Sequence, residues 1–318
     1  MARLMAPYRS VKIIFITIAL LFFTCVKTYA LGTNIVILST HDFPPYTITE
    51  KAIVRVIDAS LADVTIKKYV LTFWKYKEQQ LIKQIITIKP NIIITLGTPA
   101  SEFIHKELPS IPQVFALVVD PWRRGLIGKN ITGVCLKIPV TKQLEALVHI
   151  AHPKLVGIIW TKKHGEHFNK KGLLELAKKL GVKLIIKTVV NSKQLPEALQ
   201  QEINDGIKGF IMVADPVLFN SLLAVKYVIM QGIKYQIAVI GLAACYVTHG
   251  ALMALQPDYS YIGEQAARMA IAKLIESTDV KIPIQYPGKY ILYINLSIAK
   301  LLHIKIPQSV KDKAVLVE

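Results

Sequence analysis

Two short apolar runs, residues 92–95 and 114–119, flank the turn Gly97-Thr98-Pro99-Ala100. This arrangement restricts the fold more than any other stretch of the chain. Runs so short and so rich in β-branched residues suit strands buried on both faces. Gly97 suits a sharp turn, Thr98 a helix cap and Pro99 the first helical position. Strand, tight turn, helix and strand form the unit of a parallel sheet, with the helix starting at the carboxyl edge of the first strand. A helix start there directs backbone N–H groups outward and attracts a carboxylate or a phosphate. The second run ends in Asp120-Pro121, which brings an acid to the same edge. Together they can hold both ends of a zwitterion. The plainer alternative is that Thr98 only caps its helix and Asp120 only turns a loop.

The same alternation runs through the chain. Strands are expected over 34–38 and 66–71, with helices over 52–61 and 77–88. After a strand over 131–136, Lys137-Ile138-Pro139 reads as a crossing to a second lobe. There the pattern restarts: helix 142–151, strand 155–160, helix 170–180, strand 182–189, helix Leu195–Asn204, strand 209–214, helix 217–231 and strand 237–240. Residues 250–258 read as a second crossing, followed by helix 261–276, strand Tyr290–Asn295 and helix 298–303. The pattern predicts two doubly wound parallel-sheet lobes with a cleft between them, at the carboxyl ends of the strands. The expected division is 31–136 with 257–295 for lobe I, and 137–256 with 296–318 for lobe II.

Composition narrows the class. The chain has 318 residues, 53% hydrophobic, which is enough for two cores and excludes a disordered protein. The formal charge of +18 is spread along helix faces rather than gathered in a basic arm, so no nucleic-acid partner is expected. Residues 1–30 read as an export signal. Arg3, Arg9 and Lys12 form the basic region, a short apolar stretch over 13–23 follows, and Thr28-Tyr29-Ala30 fits a cleavage site. A lipid anchor at Cys25 is the alternative. Cleavage places the protein in the periplasm, as an expected monomer. Cys135 and Cys245 carry no spacing pattern and are expected as two buried thiols.

An ordered set of short segments carries a resemblance. It comprises the residues 94–100, Ile111-Pro112 with Phe115, Asp120-Pro121 with Gly125-Leu126, residues 130–134, and Gly250-Ala251-Leu252. It continues with Ile262-Gly263, residues 265–267, Ile282-Pro283, Leu292 with Asn295-Leu296, Ala299, and Ile306-Pro307. With these the sequence, from about Asn34 to Pro307, resembles the ABC-transporter substrate-binding lipoprotein family, whose best-known members bind tryptophan and tyrosine. The resemblance implies a type I periplasmic-binding fold with a three-stranded hinge. It further implies a small amino-acid-like ligand, often aromatic, and a membrane permease as partner. It carries over Thr98, Ala100, Asp120 and Asp215 as ligand-binding positions. Two segments depart from the family's pattern. Residues 161–169 lack its Asn-Ser pair, and residues 72–76 lack its Gly-Asp.

Other candidates rest on the residues alone. Asp215-Pro216 repeats the Asp-Pro ending of the first lobe; Asp215 is read either as a partner for a ligand ammonium or as the N-cap of helix 217–231. Trp160 ends a strand and can stack on a ligand, or lie in the core. Ser39 and Thr40 sit at a strand's carboxyl end, where ordinary turn chemistry is the alternative. Trp122, beside Arg123 and Arg124, reads as a surface corner. His149/His152 and His164/His167 have zinc-compatible spacing without a third ligand nearby, so surface histidines and no metal are expected. No catalytic motif and no cofactor fingerprint occurs. The expected function is an exported solute receptor that delivers its ligand to an ABC permease. The alternatives are a sensor subunit for a membrane signalling protein, or an exported enzyme using Asp120 and Asp215 as acid and base.

Overall fold

The computed structural model describes residues 32–72, 75–165, 169–275 and 282–318. The export signal with Cys25, together with Phe73, Trp74 and His167, lies outside the described residues. Lobe I is a five-stranded parallel sheet in the order β2-β1-β3-β4-β5. Its strands are β1 (Thr33–Ser39), β2 (Val64–Val70), β3 (Ile92–Leu96), β4 (Gln113–Val118) and β5 (Ile131–Cys135), joined by α1 (Pro44–Ser60), α2 (Lys75–Ile88) and α3 (Thr98–Glu107). Every residue of β3, β4 and β5 is buried, as apolar strands covered on both faces should be. Helix α1 begins eight residues before the expected start. Pro44 and Pro45 occupy its first turn, where a fixed φ favours helix although the apolar spacing only becomes visible at Ala52.

Lobe II holds a seven-stranded sheet in the order β12-β11-β10-β9-β8-β6-β7. It contains β6 (Leu155–Thr161), β7 (Lys183–Val189), β8 (Gly209–Ile211), β9 (Ala238–Gly241), β10 (Met253–Pro257), β11 (Tyr290–Asn295) and β12 (Val315–Val317). Its helices are α4 (Val140–Ala151), α5 (Lys162–Gly165), α6 (Lys170–Lys179), α7 (Leu195–Asn204), α8 (Leu222–Lys234) and α9 (Ala244–Thr248). Near the C-terminus α11 (Leu296–Leu301) and α12 (Gln308–Lys311) flank the same core. One boundary differs from the expected division. The stretch 257–295 was assigned to lobe I, but β11 pairs antiparallel with β10 and parallel with β12, inside the second sheet. A sequence read for alternation has no means of locating an antiparallel return of this kind.

Between β10 and β11 the chain visits lobe I as α10 (Tyr259–Ile275), which packs Ile262, Ala266 and Ala270 into the same cluster as Ile53 and Ile57 of α1. The two helices approach closely because Gly263 faces the Thr49 carbonyl, where a Cβ has no room. Three passes therefore connect the lobes. The first and third pair through the Cys135 N–H to the Gln285 carbonyl and the Gln285 N–H to the Gly133 carbonyl, both at 2.9 Å. The second joins the third through the Asp258 N–H to the Lys289 carbonyl at 3.0 Å. This is the three-stranded hinge that the family resemblance implied. No helix among the described residues is long and apolar enough to cross a membrane.

A buried acid marks lobe II. Glu202 on α7 is fully buried, and neither carboxylate oxygen has a hydrogen-bond partner. It lies against Gly157 of β6, the residue type that leaves room for it. Burial pushes its carboxyl up to about 8 from 4.5, with Lys187 and the Ile158 backbone acting in the opposite sense. The folded state thus keeps a proton that the unfolded chain releases near the ordinary value, so stability falls as pH rises from about 4.5 to about 8. Glu202→Gln keeps the shape and removes the ionisation. Thermal melts near pH 5 and near pH 9 are expected to show a smaller drop for the variant than for the wild type; equal drops count against the assignment.

Candidate functional site

The carboxyl edges of the two sheets face each other across a cleft of about 770 Å³. Lobe I contributes Thr98, Val119, Asp120, Arg123 and Arg124; lobe II contributes Lys163, His164, Asp215 and an apolar wall that includes Phe219, Leu242 and Tyr246. Placement at this edge follows from the topology, since every parallel strand of both lobes ends there.

The turn after β3 is built differently from the simple cap expected. Gly97 is the N-cap, at φ 90°, and Thr98 is already helical. A side chain at Gly97 would lie 2.7 Å from the Thr40 hydroxyl and 2.9 Å from that of Tyr46, so glycine is required by both φ and space. The capping hydroxyl comes from Thr40 at the end of β1: its Oγ1 accepts from the Ala100 N–H at 3.1 Å and donates to the Leu96 carbonyl at 2.9 Å. The Ser101 N–H bonds the Gly97 carbonyl and Pro99 has no N–H. The expected row of outward donors therefore shrinks, among the described residues, to the Thr98 N–H. Ala100 is fully buried, and Ser39 and Thr40 are 2% exposed; none of the three lines the cleft. Of the three side chains, that of Thr40 holds the turn.

Asp120 sits where expected, and its setting is unusual. Its side chain is 14% exposed, and neither carboxylate oxygen accepts a hydrogen bond. The Arg123 guanidinium stands near it, with Nε at 3.9 Å, too far for a hydrogen bond. Just upstream, the β4–β5 register shifts between Ala116 and Val118, and Leu117 takes φ 60°. A bulge of this kind redirects the strand end that carries Asp120. Lys137, in the first hinge pass, is buried; desolvation lowers its ammonium pKa and Asp120 opposes that shift. His164 is also buried rather than on the surface. Desolvation holds its imidazole below the usual range, with Asp215 and Asp120 acting against and Lys137 and Arg123 with it.

Asp215 lines the cleft but is already committed. Oδ2 accepts from the Thr161 N–H at 2.8 Å and the Thr161 hydroxyl at 2.7 Å. Oδ1 accepts from the N–H groups of Val217 at 3.0 Å and Leu218 at 3.3 Å. Of its two expected roles, the capping role is the one observed. The capped segment is a turn, because α8 begins at Leu222 with its own cap, Ser221. Trp160 lies in the lobe II core, 3% exposed, with its indole N–H on Thr188 Oγ1 at 3.3 Å, and does not line the cleft. Trp122 is partly exposed and packs on Tyr286 of the hinge. Cys135 is buried with its thiol pushed up to about 11 by burial, whereas Cys245 is exposed; both are free thiols, so the expected pair of buried thiols is half right. Exposed His149 and His152 form no metal site, and no group of three metal-ligating side chains occurs among the described residues. Sequence reasoning missed Arg123 and His164 as members of the site, and Lys137 as a buried charge acting on it. The adjacency of Arg123 to Asp120 was the available signal.

Asp215→Ala strands two buried N–H donors, of Thr161 and Leu218, and a part-buried one, of Val217, and is expected to lower the stability of the unliganded protein by about 2–4 kcal/mol, read by chemical denaturation. A loss below about 0.5 kcal/mol contradicts the capping role.

Comparison with known proteins places this architecture. A family model described as ABC transporter substrate binding protein matches residues 52–317. A tyrosine-binding protein of Clostridioides difficile (strain R20291) is 24% identical over 215 residues, covering 65% of this chain. The chain spans 61% of that relative's length. Among solved structures, a ligand-free, open substrate-binding protein with adhesive properties from Clostridium difficile aligns with a TM-score of 0.68 at 20% identity, over 90% of this chain and 99% of that one. An ABC domain in complex with L-Trp from Streptococcus pneumonia aligns with a TM-score of 0.60 at 18% identity, over 91% and 100%. The two-lobed fold and the match over most of its length agree: the chain belongs to the ABC transporter substrate-binding protein family.

Proposed function

We propose that this protein is an exported, monomeric receptor that captures a small amino-acid-like ligand between its lobes and presents it to an ABC permease. The observation that carries the reading is Asp120, a carboxylate held largely out of water in the cleft with no hydrogen bond to either oxygen. A ligand ammonium supplies the missing donors with a charge-assisted bond. Arg123, at 3.9 Å and without a hydrogen bond to Asp120, takes the ligand carboxylate, together with the Thr98 N–H. The spacing keeps acid and base close enough to span one α-amino acid and too far apart to satisfy each other. Phe219, Leu242 and Tyr246 on lobe II then meet the ligand's side chain, which favours an apolar or aromatic one. The tyrosine-binding relative and the neighbour holding L-Trp support this ligand class.

Binding at both walls favours closure, because a ligand touching both lobes interacts more strongly with the closed arrangement. The permease then distinguishes the closed from the open shape. Asp215, with its four hydrogen bonds, shapes the wall and leaves the ammonium to Asp120. It also lacks the free lone pairs that the enzyme alternative requires of it.

Thermal melting against a panel of amino acids tests this directly. A ligand at about 100 times its dissociation constant is expected to stabilise the protein by about 2.7 kcal/mol. Asp120→Asn is expected to weaken binding at least tenfold without lowering unliganded stability, since Asp120 holds no hydrogen bond to lose among the described residues and a neutral amide is cheaper to bury than a carboxylate. An undiminished shift in Asp120→Asn contradicts the reading.

A further inference from the structure

The cleft carries more positive charge than a zwitterion uses. Besides Arg123, its lining includes Arg124 from lobe I and Lys163 from lobe II, with Lys162 exposed next to the latter. The acids in the lining are Asp120 and Asp215. Asp215 is enclosed by four donors of its own lobe, and Asp120 is matched to the ligand ammonium. Arg124 has a counter-ion in Glu102 at 3.4 Å, but both side chains are well exposed, so water screens that pair. Lys163 has no carboxylate partner among the described residues.

The two basic segments belong to loops that line opposite walls. Arg123 and Arg124 follow β4 of lobe I; Lys162 and Lys163 follow β6 of lobe II. Closing the lobes therefore moves like charges toward one another. With a neutral zwitterion bound, that repulsion opposes closure; with an anionic group seated between the two loops, it becomes attraction from both sides.

Resting on the reading of Asp120 above, we propose that the physiological ligand is an amino acid whose side chain lays an apolar body on the Phe219, Leu242 and Tyr246 wall and ends in a second anionic group, a carboxylate or a phosphate, held between Arg124 and Lys163. The group confers selectivity through closure, since only in the closed form do both loops reach it.

Calorimetric titration of the purified protein with two matched pairs tests the proposal: tyrosine against O-phosphotyrosine, and glutamine against glutamate. The first pair reports on phosphate and the second on carboxylate. In at least one pair the anionic member is expected to bind at least tenfold more tightly at low ionic strength. That advantage should shrink as salt is added, because exposed charges are screened. In the Arg124→Gln, Lys163→Gln double variant, the ratio of the two dissociation constants should fall to near one. If the neutral members bind as tightly as the anionic ones, or the double variant keeps the preference, the proposal is overturned. Neutral binding that depends on Asp120 without any anionic preference overturns this inference alone. Binding by no member of either pair overturns it together with the amino-acid reading.

Discussion

A carboxylate that has been taken out of water needs donors, and the cost of leaving it without them is larger than most single interactions in a fold. Asp120 stands in this condition at the end of β4, with both oxygens buried and neither hydrogen-bonded. The surroundings hold it there. The bulge at Leu117 sets the direction of the strand end, and Val119 and Arg123 line the cleft beside it. Lys137 and Arg123 contribute positive potential without contact close enough to satisfy it. A site of this kind is preorganised: the penalty has been incurred in folding, and a donor arriving on a ligand recovers it.

The contrast between the two aspartates shows how similar residues at equivalent places acquire different roles. Both lie in the segment that follows a strand, both precede proline, and both line the cleft. Asp215 meets three backbone N–H groups and one hydroxyl, which fix the start of the turn after β8 and its join to β6. Asp120 meets none among the described residues: the N–H groups of Arg124, Gly125 and Leu126 bond the carbonyls of Pro121 and Trp122 instead. One acid therefore stabilises its own lobe, and the other remains available for an outside partner.

Much of the architecture is legible in the chain because burial on both faces leaves a plain mark. The uniform apolar runs of β3, β4 and β6 announce parallel strands, and Leu195–Asn204 announces an amphipathic helix. The return of β11 into the second sheet leaves no such mark, since a half-buried strand reads alike in either lobe. At the site, Asp120 was legible from its position at a strand end. For Thr40 and Trp160 the sequence leaves a binding and a structural role both open, and Ala100 rests on the family resemblance alone, because position at a sheet edge does not say which way a side chain points. Thr40 turns inward to cap α3, and the hydrogen bond of Trp160 to Thr188 ties it to the neighbouring strand. His164 meets the cleft, and Lys137 acts on Asp120, only through the three-dimensional fold.

The hinge connects this chemistry to motion. Three passes joined by a few backbone hydrogen bonds hold the lobes in register beside the cleft. A guest with donors for lobe I and an apolar body for lobe II supplies the interaction that the protein alone lacks. The most direct measurement is a crystal structure of the protein with its tightest-binding amino-acid ligand. The account predicts the ligand nitrogen within hydrogen-bonding distance of Asp120, the carboxylate on Arg123, and both lobes in contact with the ligand. A ligand whose nitrogen bonds Asp215 in place of Asp120, or one held by a single lobe, contradicts it.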